Sequence, residues 1–155
     1  MRRTVLFVPL VAACVAAGGI AVNAGGQGSG PPTGTMTLTI TTKNKDGRFV
    51  DAPPRSRKPS DGDAFYGRGA VSGDAQGTAV FTVTFPRGRP LLHGALHLAN
   101  GDLFVEEFAS ENNETVRGAI LGGTGAFAGA RGDFEDKPIK STKSGDTSRI
   151  TITFL

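Results

Sequence analysis

The chain has 155 residues, a length that suggests one folded domain beside any processing segment. It carries 17 basic against 14 acidic side chains, a formal charge of +3, and a single cysteine, Cys14. So small an excess gives no electrostatic footprint for nucleic acid, and one cysteine excludes an intrachain disulfide framework.

Residues 1–24 read as an export signal. Met1-Arg2-Arg3 is a basic start, Thr4 to Val22 is almost wholly apolar or small, and Val22-Asn23-Ala24 presents small residues where a signal peptidase reads. Cleavage there removes two of the basic residues and leaves the mature charge near balance. Two variants share the segment. Val11-Ala12-Ala13-Cys14 has the form of a lipobox, which would lipidate Cys14, and Arg2-Arg3 has the form of a twin-arginine start. A retained anchor fits less well, because Gly18-Gly19 interrupt a span already short for a bilayer. The expectation is a secreted protein, with lipid anchoring at the cell surface as the alternative and no membrane contact in the mature form unless Cys14 is lipidated. Residues 25–35 form a Gly/Pro-rich tether, and residues 36–155 the folded domain.

Met36 to Thr41 alternates apolar residues with threonine, which predicts a half-buried strand. Asn44 to Ser60 reads as a long polar loop, and its cluster Arg55-Ser56-Arg57-Lys58 lacks the interleaved aromatics of a nucleic-acid surface. Gly62 to Val71 predicts a second strand, weakened by Gly67 and Gly69. Thr78 to Phe85 predicts a third, with Ala79, Phe81, Val83 and Phe85 on one face. His93 to Ala99 and Asp102 to Ala109 flank Asn100-Gly101, a strong hairpin signal. With those two residues as the turn, Leu98 faces Leu103, Leu96 faces Val105 and Gly94 faces Glu107. Thr115 to Leu121, Gly132 to Glu135 and Arg149 to Phe154 complete a set of about eight short strands, with Lys137 to Asp146 as a polar connection. No stretch of ten residues has helical periodicity. The predicted fold is all-β: a single closed antiparallel barrel, whose interior is nearly filled by side chains or holds one small ligand.

Between the sixth and seventh of these strands, Gly118 to Gly132 places six glycines in fifteen positions. A dinucleotide-binding loop would need a following helix and a parallel crossover strand, and neither pattern is present. No lysine stands at the spacing of a phosphate-binding loop. The cluster therefore reads as a structural corner, and no cofactor is expected. Gly122-Gly123-Thr124-Gly125-x-Phe127-x-x-Ala130-Arg131-Gly132 resembles the signature of the dirigent proteins and the allene oxide cyclase-like barrels. That resemblance covers roughly Met36 to Leu155 and is specific only at the corner. It implies a calycin-like barrel with a central apolar cavity, in which a hydrophobic or phenolic compound undergoes cyclisation, isomerisation or stereoselective coupling. Gly122, Gly123, Thr124, Gly125, Phe127, Arg131 and Gly132 carry over as corner-builders.

If the alternating apolar face points inward, Leu38, Phe81, Leu96 and Val105 line the interior as ligand-binding residues, and Glu107 is a carboxylate among apolar walls. Burial would raise its pKa and suit it to acid or orienting work; a place at the solvent rim is the alternative. Tyr66, the only tyrosine, is the second candidate catalytic group, through its hydroxyl. Asp63 reads as a turn-former beside Gly62. His93 and His97 share a strand face, but no third ligand joins them and no metal site is expected. Asn113-Glu114-Thr115 matches a glycosylation acceptor. The rival to a ligand-handling barrel is a filled structural or interaction module whose outward His93, His97, Phe104 and Phe108 meet a partner or a second subunit, as in a homo-oligomer.

Overall fold

The computed structural model describes residues 30–53, 59–108 and 114–155. The leader with Cys14, residues 25–29 of the tether, the cluster Arg55 to Lys58 and Asn113 lie outside the described residues.

Nine strands follow one another: β1 (Gly34–Thr42), β2 (Arg48–Val50), β3 (Ala64–Gly73), β4 (Gly77–Thr84), β5 (Leu91–Leu98), β6 (Gly101–Phe108), β7 (Val116–Gly123), β8 (Gly132–Thr142) and β9 (Gly145–Phe154). From β3 to β9 each pairs antiparallel with the next, β9 pairs with β1, and β1 returns to β3. The sheet therefore closes as an eight-stranded antiparallel barrel. Short β2 does not add a ninth position. It pairs with Ala64 to Tyr66 of β3, while β1 pairs with Gly69 to Gly73 along the same edge. The break between β1 and β2 is a 3-10 turn at Asn44–Asp46.

Alternation decides what faces inward. Leu38 on β1, Leu103 on β6 and Ile152 on β9 are completely buried, and Leu98 and Ile120 belong to the same buried cluster. These side chains fill one half of the barrel. The β5–β6 hairpin keeps the expected faces but not the expected register: Ala99-Asn100 is the turn, Leu98 lies opposite Gly101, Leu96 opposite Leu103 and Gly94 opposite Val105. A slip of two residues preserves every facing, because the side-chain period of a strand is two.

Lys137 to Asp146, read from sequence as a polar connection, instead extends β8 and β9 as a hairpin, with Thr142 opposite Gly145. It projects past the buried part of the barrel, so neither face carries the apolar alternation that marks a strand. Pro138 and Lys140 flank a bulge, the place where a strand tolerates a missing N–H.

The glycine cluster closes the filled end. After β7 a 3-10 turn at Gly125–Phe127 folds under the barrel, and the chain re-enters the sheet at Gly132. The corner docks on the β5–β6 turn. Thr124 N donates to Asp102 O at 2.9 Å, Ala126 N to Asn100 O at 2.8 Å, and Asp102 N to the Thr124 hydroxyl at 3.0 Å. Gly125 adopts φ +58°, and a Cβ there would meet the Asn100 carbonyl, so a side chain is excluded twice over. Phe127 and Ala130 are buried, and the Arg131 guanidinium donates to the carbonyls of Leu121 (3.1 Å) and Ala130 (2.7 Å). Closure itself comes from the β1–β3 pairing; the corner supplies the floor.

Candidate carboxyl-bearing cavity

The opposite half of the barrel is not filled. A cavity of about 150 Å³ lies there, walled by Ile40, Phe81, Leu92, Leu96, Val105 and Phe134, with Glu107 and Asp136 as its interior polar groups. Engineered apolar cavities of that size hold one benzene ring, which sets the scale of the ligand moiety that fits inside. Two glycines shape the walls. The Phe81 ring lies over Gly67 of β3 and the Phe134 ring over Gly118 of β7, each where any Cβ would collide. Gly118 is also the cross-strand neighbour of Glu107, so the wall next to Glu107 is the Phe134 ring rather than a β7 side chain.

Glu107 is 6% exposed, and its Oε2 has no hydrogen-bond partner. Burial, followed by the nearby Asp136 charge, pushes its pKa from 4.5 up to about 7. Asp136, on β8, is also driven upward by burial, against a lowering hydrogen bond from Ser148, and its Oδ1 is likewise unpartnered. Two carboxyls thus share one mostly apolar compartment and cannot both ionise freely. Asp136→Asn should lower the Glu107 pKa below about 7 yet leave it above 4.5, because burial is the larger cause. A carbon-detected NMR titration of the Glu107 carboxyl reads this shift directly.

Of the residues expected to line the interior, Phe81, Leu96 and Val105 do so. Leu38 lies deeper, in the filled half, and does not reach the cavity. Tyr66 requires correction: it is 49% exposed on the outer face, opposite Arg48 and Thr82, and its hydroxyl cannot serve a ligand in the barrel. It alternates with Phe65 and Gly67, which take the inward positions. Asp136 lies one residue beyond the short strand Gly132 to Glu135 that the sequence predicts after the corner; the alternation Phe134-x-Asp136 is the available signal. Asp63 is nearly fully buried, accepts the N–H groups of Ala52 and Ser60 (each 2.7 Å), and is held below the usual carboxylate range by those bonds. It fastens the loop before β3.

The outer face of β5 and β6 carries the histidines. His93 Nδ1 lies 2.9 Å from Glu106 and His97 Nδ1 2.8 Å from Asp102, so each ring meets its own carboxylate. No group of three metal-ligating side chains occurs among the described residues. Phe104 and Phe108 also point outward, the latter partly covered by the Arg89 guanidinium 4.6 Å from its ring centre. A second, larger hollow of about 580 Å³ lies at the corner end. Its one carboxylate, Asp74, accepts the Thr37 N–H at 2.8 Å.

The chain is thus an eight-stranded barrel, plugged at one end and holding a carboxyl pair at the other. No family model matches the chain. No curated protein matches it either. Among solved structures, pyocyanin demethylase superposes with a TM-score of 0.63 at 19% identity, over 78% of this chain and 99% of that one. Two pterocarpan synthase dirigent proteins superpose with TM-scores of 0.61 and 0.62 at 15% and 18% identity. They cover 78% and 77% of this chain and 93% and 82% of their own. The chain therefore shares the fold of the dirigent proteins, as its corner sequence implies.

Proposed function

We propose that this protein binds a small, largely apolar molecule in the open half of its barrel and moves a proton on it, steering an isomerisation or cyclisation. The unpartnered, buried Glu107 carboxyl facing the cavity is the observation that carries this reading. A group titrating near 7 is populated in both protonation states at neutral pH, so it can take a proton from one atom and return it to another. Burial, with a further push from Asp136, holds Glu107 in that range, and Asp136 is a positioning residue. The apolar walls exclude water and set the ligand's orientation by shape. Fold neighbours named for a demethylase and for pterocarpan synthases support small-molecule chemistry in such a barrel. The alternative of a completely filled structural module has less support, since the upper half is open.

Gly94→Val provides the test. Gly94 lines the cavity, and a Cβ there meets the movable Val105 methyl at 3.1 Å, so the larger side chain projects into the space without a backbone clash. Benzyl alcohol, a neutral one-ring probe, should shift NMR signals of Leu96, Val105 and Glu107 in the wild type and leave them unmoved in Gly94→Val. Wild-type binding elsewhere, or equal binding by the folded variant, would sink the proposal.

A further inference from the structure

Resting on that reading, the cavity's charge also identifies a class of ligand. Its lining contains three carboxyl side chains, Glu107, Asp136 and Asp146, and no lysine, arginine or histidine among the described residues. Two of the three stand inside the barrel, each with one oxygen unpartnered, and Asp146 stands exposed at the lip. Burying unpartnered carboxyl oxygens is costly unless something occupies their vacant acceptor sites. We propose that the ligand presents a positive, N–H-bearing group, a protonated amine or nitrogen heterocycle on a one-ring apolar body, to Glu107 and Asp136.

A carboxylate or phosphate ligand would meet like charge at every ionisable position of the site, with only the Thr42 and Ser148 hydroxyls as neutral polar groups. A hydrated metal ion fits no better, because hard cations demand six or more oxygens and this wall is mostly apolar. An organic cation satisfies both surfaces at once: its body replaces water against Phe81, Leu96 and Val105, and its nitrogen fills the vacant acceptors. The groups facing Glu107 across the cavity are Asp136 from β8 and Asp146 from β9. Strands β1, β4 and β5 contribute only apolar groups and the Thr42 hydroxyl, and β7 faces it with Gly118.

Three probes of equal size and different charge test this: benzylammonium, benzyl alcohol and benzoate, titrated calorimetrically into the full chain at pH 8.5 and 5.5. At pH 8.5 benzylammonium should bind at least about tenfold tighter than benzyl alcohol, and benzoate weakest. The cation's advantage should shrink at pH 5.5, where Glu107 takes up its proton, and shrink severalfold at pH 8.5 in Glu107→Gln, where only the aspartates remain, while benzyl alcohol binding persists. Benzyl alcohol bound in the cavity with no preference for the cation, or a preference for benzoate, overturns the cationic assignment and leaves the ligand-binding reading standing. Failure of all three probes to bind the folded wild type overturns both.

Discussion

Glu107→Gln should make the protein more stable at pH 8, by about 3 kcal/mol, while removing its proton-transfer group. The carboxyl has a pKa of about 7 in the folded state against 4.5 in the unfolded chain, so the native state holds the proton more tightly. Stability from this group is complete below pH 4.5 and is lost as pH rises through 7. Above that range the folded protein bears a buried, unpartnered negative charge, and a difference of this size corresponds to about 3 kcal/mol. Glutamine preserves the shape and never ionises. Thermal denaturation of wild type and variant should give melting temperatures that coincide near pH 4 and separate by roughly 10 °C at pH 8 for a domain this size. A variant less stable than wild type at pH 8 would mean that the ionised carboxylate is well satisfied, and the cavity reading would fall with it. A gain in stability at the expense of function is the signature of a group retained for chemistry.

Glu107 was legible because alternation survives a mistake in register. The β5–β6 hairpin was expected to turn at Asn100-Gly101 and turns one residue earlier, yet Leu96, Val105 and Glu107 remain on the inner face. The glycine corner was legible for a different reason, since its composition admits few conformations. Tyr66 was misjudged where the pattern thins: its strand neighbours Gly67 and Gly69 carry no side chains, so the inward face of β3 has little hydropathy to display. The β8–β9 extension was missed because its solvent-exposed faces need no apolar residues and are held by backbone pairing. Whether the barrel was full or hollow could not be read from residue types at all. It depends on how the Phe81 and Phe134 rings settle over Gly67 and Gly118, a cross-strand relation that linear sequence does not display.

Phe127→Ala should produce the largest loss of stability, about 3–5 kcal/mol, with no effect on the carboxyl pair. Phe127 is 4% exposed in the turn that floors the barrel, and its ring stacks on Phe154 at 6.3 Å between centres and 23° between planes. Such a pair contributes roughly 0.5–1.5 kcal/mol beyond area, so most of the loss arises from buried surface and the void left behind. Phe154 ends β9 opposite Gly34 and Gly132, and it loses its packing partner at the point where β8, β9 and β1 meet. For a domain of ordinary stability that is a large fraction of the total. Phe108→Ala, at a ring 51% exposed on the outer wall, should cost far less and serves as the control. Because the corner and the cavity occupy opposite ends, the Glu107 titration should stay near 7 in folded Phe127→Ala. Denaturation midpoints and the Glu107 carboxyl titration, measured on the same samples, read the two halves separately. A shifted titration in this variant would show that the floor and the cavity are mechanically coupled, and that the filled half of the barrel takes part in tuning the site.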